Sequence, residues 1–265
     1  METIGVLVCG ACGQMGLEVV RAVTRAEGME ICAAVDLARV GEDIGLLAGI
    51  DASGILVQDS LEEAIREKKP AVMVDFTNPK SVFANAQTAI SWGVCPVIGA
   101  TGLTDEQRGE LSQKLSAVKL GGLVAPNFAI GAILMMEFAN KAAAYLPDVE
   151  IIEHHHDRKL DAPSGTALKT AEGIARVRQS HAQGHPEEKE LLDGARGAEY
   201  DGIRIHSVRL PGRVAHQEVI FGGLGQILTI RHDSINRESF MPGVVLAIRE
   251  IVNRDGLVVG LDGLM

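Results

Sequence analysis

The feature that most limits how this chain can fold is an apolar run, Ile4-Gly5-Val6-Leu7-Val8-Cys9, that meets Gly10-Ala11-Cys12-Gly13-Gln14-Met15-Gly16 with no linker between them. A short continuous apolar run suits a strand buried on both faces, as in a parallel sheet. Leu17-Glu18-Val19-Val20-Arg21-Ala22-Val23 then reads as a helix. Strand, glycine turn and helix in this order match the opening of a dinucleotide-binding unit. Gly10 permits the tight turn, Gly13 lets a pyrophosphate reach the backbone, and Gly16 lets the helix lie close to the strand. A glycine pattern alone is a weak signal, so the context has to carry it.

The context does carry it. Met29-Glu30-Ile31-Cys32-Ala33-Ala34-Val35 is a second apolar run that ends in Asp36. A carboxylate there can take the hydroxyls of an adenosine ribose, or can merely serve a turn. Arg39 could instead cradle a 2′-phosphate. Ser60-Leu61-Glu62-Glu63 has a capping-box pattern ahead of a short helix, and Ala71-Val72-Met73-Val74-Asp75-Phe76 is the next strand. Thr77-Asn78-Pro79 is expected to cap a helix, with Pro79 in its first turn and Gly93 beyond its end. Cys95-Pro96-Val97-Ile98 runs into Gly99-Ala100-Thr101-Gly102, Thr104-Asp105-Glu106-Gln107 is a further capping box, and Gly122-Leu123-Val124 runs into Ala125-Pro126-Asn127-Phe128. Ligands of open parallel sheets sit at the carboxyl ends of strands. The loops at Gly10, Asp36, Phe76-Thr77, Gly99 to Thr101 and Ala125 to Phe128 are therefore expected to ring one cofactor.

After Phe128 the rhythm changes. Ile133 to Leu146 reads as a long apolar helix, and Ile151-Ile152 leads directly into Glu153-His154-His155-His156-Asp157-Arg158-Lys159-Leu160-Asp161-Ala162-Pro163-Ser164-Gly165-Thr166-Ala167. Imidazole titrates near neutral pH, so His155 or His156 can hand over a proton where an untuned Lys or carboxyl group does not. Lys159 offers a compact positive charge with three donors. Ser164 is a candidate N-cap, and the free amides of Gly165 and Thr166 would face an anion at the positive end of the helix dipole. The stretch suits an anion that must also receive a proton. A metal fits less well, because neighbours on a strand point to opposite faces and neither HExxH nor a Cys ligand set accompanies the histidines.

Arg176 to Tyr200 is polar and charged and resembles an insertion or lid rather than core. Ile203 to Arg209, Ala215 to Phe221 and Gln226 to His232 read as strands divided by Pro211-Gly212 and Gly222-Gly223, which makes an antiparallel or mixed sheet and so a different domain. Phe240 to Asn253 returns to helix and is expected to pack back on the first domain. Aromatic residues are only 3% against 46% hydrophobic residues overall, so the cores must be built from Val, Ile, Leu, Ala and Met. The net charge of -10 argues against a sequence-blind grip on nucleic acid or an anionic membrane, and an anionic ligand must rely on local cations. No apolar run approaches a membrane span, and Met1-Glu2-Thr3 opens into a strand rather than a basic leader, so a cytoplasmic protein is expected. Cys9 and Cys12 spell CxxC, yet they sit where a glycine loop wants small residues, with no second CxxC. They read as structural thiols, with a redox-sensitive pair as the alternative.

With these pieces in place the chain resembles the bacterial 4-hydroxy-tetrahydrodipicolinate reductase family, also called dihydrodipicolinate reductases, over nearly its whole length. The most specific match is Glu153-x-His155-His156-x-x-Lys159-x-Asp161-Ala162-Pro163-Ser164-Gly165-Thr166-Ala167, joined by Asp75-Phe76-Thr77, Gly99-Ala100-Thr101-Gly102 and Ala125-Pro126-Asn127-Phe128. The resemblance implies an α/β fold: a Rossmann-type parallel-sheet dinucleotide-binding domain from residues 1–128 and 237–265, and an α+β substrate-binding and oligomerisation domain with a mixed sheet from residues 129–236. It implies reduction of an unsaturated ring dicarboxylate by NADH or NADPH, with loss of water, in lysine and diaminopimelate biosynthesis. By motif position His155 is the proton donor and Lys159 assists it. His156, Ser164, Gly165, Thr166 and Thr101 hold the substrate. Gly10, Ala11, Cys12, Gly13, Gln14, Met15, Asp36, Arg39, Phe76, Gly99, Ala100, Thr101, Ala125, Pro126, Asn127, Phe128 and Arg237 serve the cofactor. Glu153 and Asp161 orient their neighbours, and no metal is implied. The family assembles as homotetramers, for which the strands between Ile203 and His232 could serve here.

This chain departs from the family pattern at Gln14, where many relatives carry arginine, and at Ala100, which replaces the first threonine of a GTTG loop. With Asp36 favouring ribose over phosphate, NADH is the expected cofactor, with NADPH also accepted. The rivals are a different dehydrogenase, which needs a catalytic Cys or Lys pair although every Cys precedes residue 96, and a non-catalytic NAD-binding sensor on the same scaffold.

Overall fold

A computed structural model describes residues 3–179 and 181–265; Met1 and Glu2, part of the expected leaderless start, and Ser180, inside the polar stretch, lie outside the described residues. In chain order the elements are β1 (Ile4–Cys9), α1 (Gln14–Arg25), β2 (Met29–Val35), α2 (Ile44–Leu47), β3 (Val57–Gln58), α3 (Leu61–Lys68), β4 (Val72–Asp75), α4 (Val82–Ser91), β5 (Cys95–Ile98), α5 (Asp105–Val118) and β6 (Gly121–Val124). There follow α6 (Ile130–Ala143), β7 (Asp148–His155), α7 (Gly165–Val177), β8 (Ala198–Tyr200), β9 (Ile203–Arg209), β10 (Ala215–Gly223), β11 (Gln226–Ser234), α8 (Met241–Ile251) and β12 (Gly256–Val259). The chain divides into two compact units, Met1–Ile130 with Arg237–Met265, and Gly131–Asn236.

Among the described residues the first unit holds a seven-stranded sheet in the order β12-β6-β5-β4-β1-β2-β3, every pairing parallel. Sequence order runs outward in both directions from β1, so the topological switch lies between β1 and β4. Both faces of the sheet are covered, which is why Val6, Leu7, Val8, Val72, Met73 and Val74 are all fully buried and read as continuous apolar runs. The first glycine loop shows its steric logic directly. Gly10 has φ +74°, and a Cβ on Gly16 would lie 2.1 Å from the Gly10 carbonyl oxygen. Helix α1 begins at Gln14 rather than Leu17, because Gly13 already serves as its N-cap.

Other expectations need correction. Pro79 precedes α4 instead of occupying its first turn: Asn78 Oδ1 accepts from the Lys80 amide, the Ser81 and Val82 amides close on the Asn78 carbonyl, and Ser81 is the N-cap. Gly93 does follow that helix, with φ +73°. At Thr104 the capping box forms in full, the threonine side chain taking the Gln107 amide and the Gln107 side chain taking the Thr104 amide. Two edge strands went unread: β3 is only two residues long, and β12 is a four-residue run, Gly-Leu-Val-Val, too short to separate from the end of a helix. Helix α8 belongs to the first unit and is preceded by a 3-10 turn at Arg237–Phe240. It lies so close that a Cβ on Gly243 would come within 2.0 Å of the Phe128 carbonyl oxygen.

Among the described residues the second unit is built on a five-stranded mixed sheet, β11-β10-β7-β9-β8. The consecutive strands β9 and β10 are not neighbours; β7 lies between them, parallel to β9 and antiparallel to β10. One face of this sheet is buried through Val149, Ile151, Glu153, Ile203, Ile205, Gln217, Val219 and Phe221. Helix α7 buries Ala167, Thr170, Ala171 and Ile174, and Gln217 Nε2 donates to Thr170 Oγ1 at 2.8 Å. The stretch from Arg176 to Tyr200 is not wholly a surface insertion. Arg178 is buried at 5% exposure and donates to the carbonyls of Pro147, His181 and Asp201, and Ala198 to Tyr200 add strand β8. A guanidinium with five donors can satisfy several loop carbonyls at once, so here a charged residue is structural core.

Two glycine substitutions should move stability in opposite directions. Gly243→Ala forces a methyl group into the Phe128 carbonyl and should cost about 1–3 kcal/mol. Gly109→Ala, in exposed helix α5 with nothing near its would-be Cβ, should stabilise by about 0.8–1 kcal/mol. Urea unfolding of both variants beside wild type checks the pair of signs.

Candidate active site

At the carboxyl ends of β1, β2 and β4, next to the topological switch, a cleft of ≈ 380 Å³ is lined by Gly10, Gly13, Asp36, Leu37, Phe76, Thr77 and Asn78 among others. That volume falls in the range of small-molecule sites. Its floor is made of backbone: the Gly10 and Ala11 amides donate to the Val35 carbonyl, and the Gly13 amide donates to the Gly10 carbonyl. Gln14 and Met15 open α1, where the first amides have no intrahelical acceptor. Asp36 is fixed by the Cys12 amide on Oδ2 and the Ala38 amide on Oδ1, both at 2.9 Å. Arg39 is exposed, has φ +60°, and is engaged by Glu42 through two bonds of 2.6 and 2.8 Å.

Under the cleft Asp75 is fully buried, accepting from the Thr77 amide and hydroxyl and from Asn85 Nδ2. That clamp sets the backbone at Phe76. The Phe76 ring lies where a Cβ on Gly99 would come within 2.1 Å, and meets the Phe128 ring at 5.7 Å. The Gly99 and Ala100 amides both donate to the Asp75 carbonyl. Thr101 and Pro126 are exposed on their loops, and Asn127 Oδ1 accepts from the Ala129 amide. Arg237 is exposed at the start of its 3-10 turn. The cysteines are free thiols. Burial, then the Asp75 and Asp36 carboxylates, push the Cys9 thiol well up, which makes it a poor nucleophile.

In the second unit β7 ends in the histidines. Glu153 has no exposed surface, and its two oxygens take four hydrogen bonds: His155 Nδ1 at 2.5 Å and Arg209 Nη1 at 2.9 Å on Oε2, and Arg209 Nη2 at 2.7 Å and the Ser164 amide at 3.3 Å on Oε1; the Ser207 side chain adds to the stabilisation of the ionised carboxyl. Burial opposes ionisation, but the bonds from His155, Arg209 and Ser207 outweigh it and hold the Glu153 carboxyl down to about 2. Arg209 Nη2 also donates to the Asp161 carbonyl at 2.7 Å. Lys159 Nζ is held by Asp161 through bonds of 2.7 and 2.9 Å. Ser164 caps α7 by accepting from the Ala167 amide, leaving Gly165 and Thr166 in its first turn. His156 is half-buried, and its Nδ1 has no partner among the described residues.

Of the residues singled out in sequence for the second unit, His155, Lys159, Ser164, Gly165 and Thr166 thus cluster around the end of β7 and the start of α7. Arg209 was missed. It lies 56 residues from Glu153 and reaches it only because β9 pairs with β7 in parallel, with His155 opposite Arg209. Among the described residues no group of three or more His, Cys, Asp or Glu is placed to hold a metal ion.

Comparison with known proteins bears on the whole chain. Residues 4–128 match the model of the dihydrodipicolinate reductase N-terminus and residues 131–265 that of its C-terminus. The chain belongs to the dihydrodipicolinate reductase family. It is 54% identical over 266 residues to the 4-hydroxy-tetrahydrodipicolinate reductase of Desulfitobacterium hafniense (strain DSM 10664 / DCB-2), covering 100% of both chains. It is 52% identical over 264 residues to that of Lysinibacillus sphaericus (strain C3-41), covering 99% of this chain and 100% of the other. A dipicolinate-bound dihydrodipicolinate reductase from Paenisporosarcina sp. TG-14 superposes with a TM-score of 0.90 at 53% identity, over 99% of this chain and 100% of that one. An amine dehydrogenase from Mycobacterium smegmatis, at 15% identity and a TM-score of 0.67, over 96% of this chain and 94% of that one, shares the fold alone. Family membership agrees with the parallel-sheet unit and the mixed-sheet unit as read from the sequence.

The Glu153 network makes acid sensitivity a local property. A carboxyl whose folded pKa lies below its unfolded value contributes stability that is present above the unfolded value and lost as pH falls through the folded one. From the ordinary 4.5 to about 2 this amounts to roughly 3 kcal/mol at most. Unfolding free energy should fall between about pH 4.5 and 2, and Glu153→Gln should flatten that part of the profile while lowering the plateau above it. Equal slopes in the two proteins would remove Glu153 from this role.

Proposed function

We propose that this chain catalyses the NAD(P)H-dependent reduction of 4-hydroxy-tetrahydrodipicolinate to tetrahydrodipicolinate with loss of water, a step of diaminopimelate and lysine biosynthesis. The observation that carries the reading is the arrangement at the end of β7: an imidazole fixed by a buried carboxylate, a lysine in the next loop, and a Ser-capped helix start, all within one motif. A flat ring dicarboxylate asks for two such things, positive charge for its carboxylates and an acid for one ring carbon.

The first unit fits a dinucleotide, because Gly10, Gly13 and Gly16 form a cradle that a Cβ would fill and Asp36 stands at the end of β2. When bound, the nicotinamide supplies a hydride. In this reading residues 1–128 and 237–265 hold the cofactor through Gly10 to Met15, Asp36, Phe76, Gly99 to Thr101, Ala125 to Phe128 and Arg237, and residues 129–236 hold the substrate. Lys159 assists His155, and His156, Ser164, Gly165, Thr166 and Thr101 hold the substrate. His155 gives its proton to the ring carbon beside the one that takes the hydride, so hydride and proton together saturate one double bond after water has left. Asp36 repels a 2′-phosphate, while Arg39, paired with Glu42 at the exposed surface, can still turn to one, so NADH is preferred and NADPH accepted. Exposed Leu224, Ile227 and Leu228 around the β10–β11 turn and along edge strand β11 suit assembly as a homotetramer. We place the protein in the cytoplasm, where its free thiols stay reduced; no helix among the described residues is long and apolar enough to cross a membrane.

NADH oxidation coupled to a supply of the unstable substrate tests the assignment. Wild type should turn over, His155→Ala should lose about 10²–10⁴-fold in kcat, and pyridine-2,6-dicarboxylate should compete with the substrate. A folded, dinucleotide-binding wild type without turnover would favour the sensor instead. For the cofactor, kcat/KM should be higher with NADH than with NADPH, and Glu42→Gln, which frees Arg39, should narrow the gap; a strong wild-type preference for NADPH contradicts this part.

A further inference from the structure

The bond between His155 Nδ1 and Glu153 Oε2 has a chemical consequence. An ionised carboxylate only accepts hydrogen bonds, so Nδ1 must carry the hydrogen, and in the neutral ring Nε2 holds the lone pair. The proton that His155 gains and gives is then the one on Nε2. Glu153 is itself shared, for Arg209 takes both of its oxygens and then reaches on to the Asp161 carbonyl in the loop that carries Lys159. Arg209 thus ties three things together: the carboxylate behind the histidine, the end of strand β9, and the loop leading to Ser164.

We propose that Glu153 and Arg209 are a positioning pair for the proton donor: Glu153, bonded to Nδ1, fixes the ring so that Nε2 delivers the proton, and Arg209 offsets the carboxylate charge so that the protonated ring is not held too strongly to release it. This rests on the reading of His155 as donor. The charged and titratable groups nearest the ring are Glu153 on its own strand, Arg209 opposite it on β9, His156, Asp157, Arg158, Lys159 and Asp161 in the loop that follows, and Arg213 in the loop whose Leu210 amide donates to the His155 carbonyl; His154, next on the strand, lies against His216. On β10 the residue opposite His155 is Ala215 and the one opposite Glu153 is the neutral Gln217, while α7 turns Ala167, Thr170, Ala171 and Ile174 inward, none of which titrates. Among the charged groups Glu153 is the one bonded to the ring, and Arg209 is the charged side chain that bonds Glu153 through both of its oxygens.

The two members of the pair act with opposite sign. Removing the charge of Glu153 destabilises the protonated ring, so the alkaline limb of the kcat profile should move to lower pH, by about 1–3 pH units. Removing that of Arg209 leaves the carboxylate uncompensated, and the limb should move to higher pH by about 1 unit. A residue that only braces the fold would lower activity without moving the limb in either direction. The experiment takes the full-length protein as wild type, Glu153→Gln, Arg209→Met and Arg209→Lys. Expected are opposite limb displacements in the first two variants, a limb near the wild-type position in Arg209→Lys, and dinucleotide KM within twofold of wild type throughout, about 0.4 kcal/mol. Limbs that stay put, or that move the same way in Glu153→Gln and Arg209→Met, overturn the proposal.

A second measurement needs no turnover and reads the unsubstituted protein, with one variant used only to assign the signal. Imidazole nitrogen NMR of wild type, with His155 assigned through the missing signal in His155→Asn, should show at alkaline pH a hydrogen on Nδ1 and a bare Nε2. The reverse tautomer sinks the positioning role whatever the assay gives. Absence of turnover in a protein with the expected tautomer sinks the reductase reading and leaves the ring geometry standing.

Discussion

A carboxylate without exposed surface is the constraint on which the second unit depends. Glu153 sits at the centre of a mixed sheet, and leaving it there uncompensated would cost several kcal/mol. Its compensation comes from four separate places in the chain: His155 on the same strand, Ser207 and Arg209 on β9, and the Ser164 amide ahead of α7. Satisfying one buried charge therefore fixes the register of β7 against β9, the path of the loop from His156 to Pro163, and the point where α7 begins. The arrangement would be poor value as stabilisation alone, since a well-packed apolar substitute for a buried ion pair is often as stable. What an apolar residue cannot do is dictate which nitrogen of an adjacent imidazole carries the hydrogen.

The first unit solves its problem differently. Its cleft is made by leaving atoms out. Gly10, Gly13 and Gly16 let the backbone close up, and Gly99 leaves room for the Phe76 ring, which in turn rests on Phe128. Buried Asp75 fixes that ring indirectly, by gathering Thr77 and Asn85 beneath it. Here specificity rests on a few fixed groups at the rim. Asp36 is held by two amides, whereas Arg39 is an exposed side chain paired to an exposed Glu42, a bond of little strength in water. One loop thus carries both a rigid carboxylate and a loosely held guanidinium.

How much of this could be read from the sequence follows from how far each interaction reaches along the chain. The glycine loop, the Thr104 capping box and Ser164 were legible because each is a contact between residues a few positions apart, governed by backbone geometry, whereas Ser60 caps its helix by accepting from the Glu63 amide without the return bond of a full box. Strand β9 gave no hint that Arg209 is special: Ile203-Arg204-Ile205-His206 alternates apolar and polar as any half-buried strand does, and Ser207-Val208-Arg209 breaks the alternation without pointing to a partner. Only the insertion of β7 between β9 and β10 makes Arg209 face His155, and strand order cannot be deduced from alternation. Arg178 was obscured for a related reason. A charged residue in a polar stretch predicts exposure, yet the carbonyls of Pro147, His181 and Asp201 converge on it from loops far apart in sequence. Strands β3 and β12 failed on length, since two or four residues show no periodicity.

The two solutions also differ in what they tolerate. A site lined by backbone amides depends on small residues and accepts most changes that leave the glycines alone, side chains such as Gln14 and Ala100 included. A site held by a buried carboxylate has no such slack. Replacing Arg209 by lysine keeps the charge but loses the fork that reaches both oxygens of Glu153 and the Asp161 carbonyl together. Replacing Glu153 by aspartate shortens the reach by one methylene and would have to sacrifice either the histidine or the arginine. Variation is therefore easier to accommodate beside this group, at Gln217, which faces Glu153 from β10 without carrying charge, than at His155, Ser207 or Arg209.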